Sequence, residues 1–209
     1  MNRAVLFDAV GTLIHPEPSV AEAYAQAGRR FGTSLDVDEA RSRFRAAFAA
    51  EERLDAADAA GRTDEARERR RWRSIVTGVF PEVAANPEHL DRLFDDLWQH
   101  FARPQSWRVC ERAVARVRRE IESGTNVGVA SNFDARLVDV IAAVLPEISA
   151  DHVFASSLVG YRKPAIGFFR ACERRLNLPP TAITLIGDDP ANDVRGAEAA
   201  GWQADLWQA

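Results

Sequence analysis

The chain has 209 residues, of which 46% are apolar, and its 27 Lys and Arg against 31 Asp and Glu give a formal net charge of -4. This slightly acidic balance, without a dominant basic stripe, predicts no nucleic-acid partner. Two cysteines and four histidines, scattered along the chain, form neither a disulfide framework nor a zinc cluster. Because no apolar run reaches the roughly 18 residues of a membrane span, we expect a cytoplasmic protein with no membrane contact.

Short apolar runs that end at turn or polar residues predict buried parallel strands. In chain order they lie at residues 5–7, 127–130, 153–154, 183–186 and 204–207. Segments whose apolar residues have helical spacing separate them, at 109–121, 137–144, 169–176 and 194–200. This alternation of strand and helix predicts an open, doubly wound α/β sheet.

One long segment interrupts the alternation. Residues 16–104 contain no convincing strand, and their apolar residues recur at helical spacing, which predicts an all-helical insert after the first strand. Its Arg-rich stretch, residues 62–73, is interleaved with Asp64, Glu65 and Glu68 and is typical of a solvated helix with internal ion pairs. The alternative is that one of these arginines turns inward to hold an anionic substrate.

Ligands of an open α/β sheet bind beyond the carboxyl ends of its strands, and four predicted strands are followed by polar or reactive side chains. Asp8 follows the first strand, and Gly11 then allows a sharp turn, although Asp8 alone is also typical of a turn cap. Ser131 and Asn132 follow the second strand and supply a hydroxyl and an amide that can hold an oxyanion. Ser-Asn is also a common start of a helix.

Lys163 is the one lysine among the 27 basic residues and lies in a loop bounded by Gly160 and Pro164. A compact ammonium binds a phosphoryl oxygen as a point charge and differs in reach from the planar fork of Arg. This difference in reach explains why position 163 is a lysine in a chain whose other basic residues are all arginines. We therefore interpret Lys163 as a group that binds an anion.

Three aspartates, Asp188, Asp189 and Asp193, lie in a stretch of six residues that follows the strand at 183–186. Carboxylates at such a turn supply the hard oxygen ligands that Mg²⁺ prefers. Attraction to a helix N-terminus explains Asp189 well but explains three acids poorly. Together, the four strand ends predict an aspartate nucleophile, a hydroxyl and a lysine for an anionic group, and a divalent metal.

The same residues form four ordered motifs that resemble those of the haloacid dehalogenase (HAD) superfamily of aspartate-nucleophile hydrolases. The matching positions are Asp8 with Gly11-Thr12-Leu13, Ser131, Lys163-Pro164, and Gly187-Asp188-Asp189 with Asp193. The resemblance implies an α/β fold with a Rossmann-like doubly wound parallel sheet in residues 1–15 and 105–209. It also implies that residues 16–104 form an inserted all-helical cap of the C1 type.

By this resemblance, Asp8 is the nucleophile, and Ser131 and Lys163 hold and neutralise the phosphoryl oxygens of a small anionic, phosphorylated substrate. The further phosphate-binding residues implied are Thr12 and Asn132. The cofactor implied is Mg²⁺. Its expected ligands are Asp8, the backbone carbonyl of Val10, Asp188, Asp189 and Asp193.

Val10 departs from the family pattern, because phosphatases of the family usually carry a second Asp there as general acid and base. Loss of a positioned proton donor removes a factor of roughly 10² to 10⁴ in rate. We expect a Mg²⁺-dependent hydrolysis of a small phosphate ester with weak or atypical activity. His15 is our candidate for a replacement acid because its intrinsic pKa suits proton transfer near neutrality; the alternative is a hinge histidine that faces water.

Three other functions are weighed on the same residues. Phosphonate-cleaving members need a cap lysine, and residues 16–104 contain none, which excludes that chemistry. Metal-free 2-haloacid dehalogenases resemble the Asp-Ala-Val-Gly-Thr-Leu motif more closely, but they lack the acids of the fourth motif, which without a cation would repel Asp8. The third alternative is a catalytically silent protein that binds a ligand at the phosphate site.

The sequence leaves the oligomeric state open. We interpret Trp72, Trp98 and Trp107 as packing residues of the core or of the domain interface.

Overall fold

A parallel sheet forms the centre of the molecule, which is described for residues 3–58 and 60–208 in a computed structural model. The strands are β1 (Ala4–Phe7), β2 (Ile14–Pro16), β3 (Trp107–Val109), β4 (Asn126–Ser131), β5 (Val153–Ala155), β6 (Ile183–Gly187) and β7 (Gln203–Leu206). Five of them form a sheet in the order β5-β4-β1-β6-β7, and each neighbouring pair is parallel. The predicted α/β fold with a doubly wound sheet is therefore confirmed.

Helices cover both faces of this sheet and fill the long insert. They are α1 (Val20–Arg30), α2 (Val37–Ala57), α3 (Glu65–Val79), α4 (Pro81–Ala84), α5 (Pro87–Ala102), α6 (Glu111–Glu122), α7 (Arg136–Val144), α8 (Ser156–Val159), α9 (Ile166–Leu176) and α10 (Gly196–Ala199). A π-helical segment, Pro190–Arg195, precedes α10. In the part of the chain that the structure describes, no helix combines the length and apolar character needed to cross a membrane.

The central strand β1 explains why the sheet reads as apolar runs. All four of its residues are buried, because successive side chains face opposite layers of helices. Phe7 packs in the layer that contains residues of α6 and α7, whereas Leu6 packs in the layer that contains residues of α9 and α10. The chain therefore leaves β1 at Asp8 in the middle of the sheet, at the carboxyl ends of its neighbours.

A short antiparallel pair, β2 with β3, lies where the chain leaves the core and where it returns. The helical spacing predicted Val109 at the start of a helix, and this prediction is wrong, because Val109 pairs with Ile14 and α6 begins only at Glu111. Three residues are too few to show the period of a strand. Helices α1 to α5 lie between the two strands and share an apolar centre around Tyr24 and Phe80.

Helix α3 is less solvated than its charges suggest. Glu68 is 1% exposed and Arg71 is 5% exposed. Arg71 contacts Asp55 of α2, with 2.8 Å between Nε and Oδ2, and also pairs with Glu52. The expectation of a purely solvated helix is therefore wrong on this face, because these charges pair with carboxylates and arginines of other elements rather than with each other.

Candidate active site

Asp8 and Lys163 form the centre of the candidate site. Asp8 follows β1 and is 8% exposed, and its backbone N–H donates to the carbonyl of Ile186 in β6. The Lys163 ammonium donates to Asp8 Oδ1 at 2.8 Å, to Asp193 Oδ1 at 2.5 Å and to the Ala130 carbonyl at 2.7 Å. Its three N–H groups are thus matched by three acceptors, which fixes the cation beside the nucleophile candidate.

The buried charges shift each other's protonation. Burial raises the pKa of Asp8 to about 6, while the charge of Lys163 opposes this rise and that of Asp193 adds to it. Burial also lowers the pKa of the Lys163 ammonium, but the charges of Asp8 and Asp193 outweigh it and raise the value to about 12. Near neutral pH, Asp8 is therefore an anion and Lys163 a cation.

Two residues at the end of β4 hold this pair in place. Ser131 is buried, and a hydrogen bond from its side chain lowers the pKa of Asp8. The Asn132 side chain accepts from the Lys163 backbone N–H at 2.7 Å and donates to the Lys163 carbonyl at 2.9 Å. Both ends of the amide therefore contact the backbone of Lys163, and the expected phosphate contact of Asn132 stays a prediction.

The carboxylates of the fourth motif complete the site. Asp8, Asp188 and Asp193 each place one oxygen within 4.8 Å of those of the other two. Gly11 has a φ of 97°, and a Cβ there would lie 2.4 Å from Asp188 Oδ2, so glycine is required for this approach. Thr12 is buried and donates to Asp188 Oδ1 at 3.1 Å, so it supports that carboxylate, and its expected contact with a phosphate stays a prediction. Three hard oxygen donors fit a divalent cation such as Mg²⁺.

Asp189 lies outside this group of carboxylates, in contrast to its predicted role as a metal ligand. Its side chain accepts from the N–H groups of Ala191 and Asn192 at 2.7 and 3.0 Å, and from the Asn192 amide at 2.7 Å. Burial would raise the pKa of Asp189, but the hydrogen bonds from Asn192 and Ala191 lower it. Asp189 therefore caps the following helical segment, because its carboxylate satisfies N–H groups that have no partner within the helix.

His15, the candidate proton donor, and Val10, whose backbone carbonyl is an expected metal ligand, lie in different surroundings. His15 lies in β2 opposite Arg108, and among the described residues its ring makes no hydrogen bond to Asp8, Lys163 or Asp193. It therefore lies at the junction of core and insert. Val10, two residues after Asp8, is 38% exposed and lines an apolar cavity under the insert.

Ion pairs that the sequence analysis missed fasten the insert to the core beside Lys163. Arg162, next to that lysine, is 6% exposed and places its guanidinium 2.6 Å from Glu68 Oε1. Glu68 also accepts from the Thr63 hydroxyl at 2.8 Å. Glu65, from the same helix, accepts from the backbone N–H of Ala135 in the core at 2.8 Å. The only signal in the sequence is that Arg162 adjoins the third motif.

Comparisons with known proteins identify the family of the chain. A family model described as haloacid dehalogenase-like hydrolase matches residues 2–201. The chain is 28% identical to haloacid dehalogenase-like hydrolase domain-containing protein 3 of Mus musculus, over 98% of this chain and 81% of the mouse protein. The Homo sapiens protein of the same name is 24% identical, with the same two coverages.

Solved structures show the same fold at low sequence identity. A defluorinating L-2-haloacid dehalogenase superposes with a TM-score of 0.73 and 21% identity, covering 98% of this chain and 80% of that one. The HAD hydrolase YfnB from Bacillus subtilis, bound to magnesium, superposes with a TM-score of 0.72 and 16% identity. The match covers 98% of this chain and 88% of that one. A HAD phosphatase from Thermococcus onnurineus superposes with a TM-score of 0.60 and 22% identity, covering 100% of this chain and 86% of that one.

The family match spans nearly the whole chain, and the four motifs that carry the resemblance meet at one edge of the sheet. The chain therefore belongs to the haloacid dehalogenase-like hydrolases.

Proposed function

We propose that this hydrolase cleaves a phosphate monoester of a small molecule with the help of Mg²⁺, through a covalent intermediate on Asp8. The observation that carries the proposal is the charge balance of the site. Asp8, Asp188 and Asp193 converge, and Lys163 is the one cation that contacts them among the described residues. Three carboxylates and one ammonium leave two negative charges, which a divalent cation compensates.

The chain's own residues supply the remaining steps. A carboxylate oxygen of Asp8 attacks phosphorus as the bond from phosphorus to the leaving-group oxygen breaks. Lys163, held at 2.8 Å from Asp8, offsets the repulsion between this carboxylate and the incoming phosphoryl group. Water then attacks phosphorus, loses a proton to solvent, and the bond between phosphorus and Asp8 breaks to restore the carboxylate. When bound, Mg²⁺ supplies neutralisation of charge on a phosphoryl oxygen and orients it.

Two adjacent aspartates, Asp188 and Asp189, provide a test of the metal site and its matched control. We expect Asp188→Asn to weaken Mg²⁺ binding by about tenfold or more, since even residues that only support a ligand have effects of this size. Asp189→Asn should leave the affinity unchanged, because Asn also caps a helix. Titration calorimetry with Mg²⁺ alone measures both, and equal losses in the two variants would contradict the site. Asp189→Ala should instead lower the free energy of unfolding by about 0.5 to 2 kcal/mol.

Val10 provides the test of proton transfer. Its side chain follows the nucleophile by two residues and faces a cavity, so an acid placed there can reach a leaving group. We expect Val10→Asp to raise the rate of alkyl phosphate hydrolysis by about 10² to 10⁴. Val10→Asn, which has the same shape without the acid, should not. Equal rates in the two variants would show that proton transfer is not what the natural site lacks.

One observation favours a second function, metal-free dehalogenation of 2-haloacids. Position 10 is a valine, and displacement of a halide from carbon needs no acid at that position. Halide release in the presence of chelator would support it. Activity that appears only in Val10→Asp would instead support a natural protein that binds a ligand at this site without turning it over.

A further inference from the structure

A half-open apolar cavity lies between the helices of the insert and the core, next to the Asp8 site. We call it the aromatic chamber. Its volume is about 250 Å³, and it reaches the core at Val10, Asn132 and Phe133. The aromatic side chains that line it from the insert include Tyr24, Phe44, Phe48, Trp72, Trp98 and Phe101. Trp72 and Trp98 are therefore more than packing residues, since their rings face a space that a ligand can enter.

The walls of the aromatic chamber offer little to a charged ligand. Arg136 is the one charged residue among its described lining, and its guanidinium donates to Asp134 at 2.6 and 2.7 Å and to the Trp98 carbonyl at 2.8 Å. It also stacks on the Trp98 ring, 3.4 Å from the centroid. Asp134 is fully buried and balances the charge of Arg136. The chamber therefore favours an uncharged, apolar group, and aromatic walls favour an aromatic one.

The chemistry at Val10 points to the same class of molecule. Without an acid at this position, the leaving group departs as an anion or takes its proton from water. A phenol has a pKa of about 10, as in Tyr, whereas an alcohol loses its proton about as reluctantly as bulk water, whose pKa is far higher. A phenolate is therefore the leaving group that tolerates valine at position 10 best.

We propose that the aromatic chamber receives the leaving group of the substrate and that this group is an uncharged aryl alcohol larger than one ring. The inference rests on the proposed phosphatase function. An engineered apolar cavity of about 150 Å³ binds benzene, so the chamber, at about 250 Å³, has room for two fused rings. Val10, two residues after Asp8, lines the chamber, which places the chamber beside the candidate nucleophile.

Kinetics with matched esters tests the proposal. With Mg²⁺, kcat/KM for 2-naphthyl phosphate should exceed that for phenyl phosphate by about tenfold or more, since these leaving groups differ mainly in apolar size. Glycerol phosphate, with a polar alkoxide, should be slower still. Val20→Trp narrows the chamber from α1 and should remove the naphthyl preference. Leu54→Trp, at an exposed position of α2, should keep it.

A binding readout separates this inference from the proposed function. In Asp8→Asn without metal, 2-naphthol should bind at one site and quench the fluorescence of the tryptophans that line the chamber, Trp72, Trp98 and Trp107, and Val20→Trp should abolish the binding. If 2-naphthol binds in this way but no phosphate ester is turned over, the chamber is a binding site for an aryl alcohol and the proposed phosphatase function is contradicted. If small phosphate esters are hydrolysed without a naphthyl preference, the phosphatase function stands and the aromatic leaving group is overturned.

Discussion

Replacing Asp8 by asparagine is expected to reduce phosphate ester hydrolysis on the order of 10⁴-fold or more, the scale on which loss of a nucleophile acts. The amide keeps the size of the side chain and still accepts a hydrogen bond from Lys163, but it is a poor nucleophile at phosphorus. Lys163 also stays paired with Asp193, so the variant should fold. Turnover of an aryl phosphate with Mg²⁺ is the measurement.

A matched control for this variant is Asp151→Asn, which makes the same change at an exposed position. It should leave the rate unchanged. Acid-quenched natural protein should carry a phosphoryl group on Asp8, detected by mass spectrometry, and the Asp8→Asn protein should carry none. Residual activity within tenfold of the natural chain would remove Asp8 from the role of nucleophile.

Replacing Lys163 by methionine is expected to lower the free energy of unfolding by about 3 to 5 kcal/mol at pH 8 in chelator, since it leaves buried carboxylates without their cation. Lys163 and Asp193 are each 2% exposed in their side chains, and Asp8 is 11% exposed. Arg45→Met, at an exposed position, should change stability by less than about 0.5 kcal/mol. Chemical denaturation measures both.

The pH dependence of this loss has a definite sign. Burial raises the pKa of Asp8 to about 6 with Lys163 present, and removal of the ammonium raises it further. A carboxyl whose folded pKa lies above its unfolded value, about 3.9, loses stability as pH rises through the folded value. The deficit of Lys163→Met should therefore be largest well above pH 6, shrink as the pH falls to about 6, and change little below that, where Asp8 is protonated in both folded proteins. A deficit independent of pH would show that the lost charge is not its cause.

Much of the site was predictable because its residues follow strands. Asp8, Ser131 and Asp188 all come after apolar runs, and parallel strands bring their carboxyl ends to one edge of a sheet. Lys163 was predictable because it is the one lysine in a chain that otherwise uses arginine. The residue types and their order along the chain were sufficient for these four positions.

Other roles depend on partners that the sequence does not identify. Asp189 and Asp193 are both acids of one motif, but Asp189 turns to its own helix and Asp193 to Lys163. Arg162 is buried because it meets Glu68, which is 94 positions away. The same limit applies to the aromatic chamber, since the rotation of α1, α2, α3 and α5 about their axes decides which apolar faces enclose it.

The most direct test of the account compares two products in one experiment. The natural chain is incubated with an aryl phosphate or with 2-chloropropionate, each with Mg²⁺ or with chelator, and released phosphate and halide are measured. We expect phosphate release with Mg²⁺, none in chelator, and no halide under either condition. Halide release that persists in chelator, without phosphate release, would contradict it.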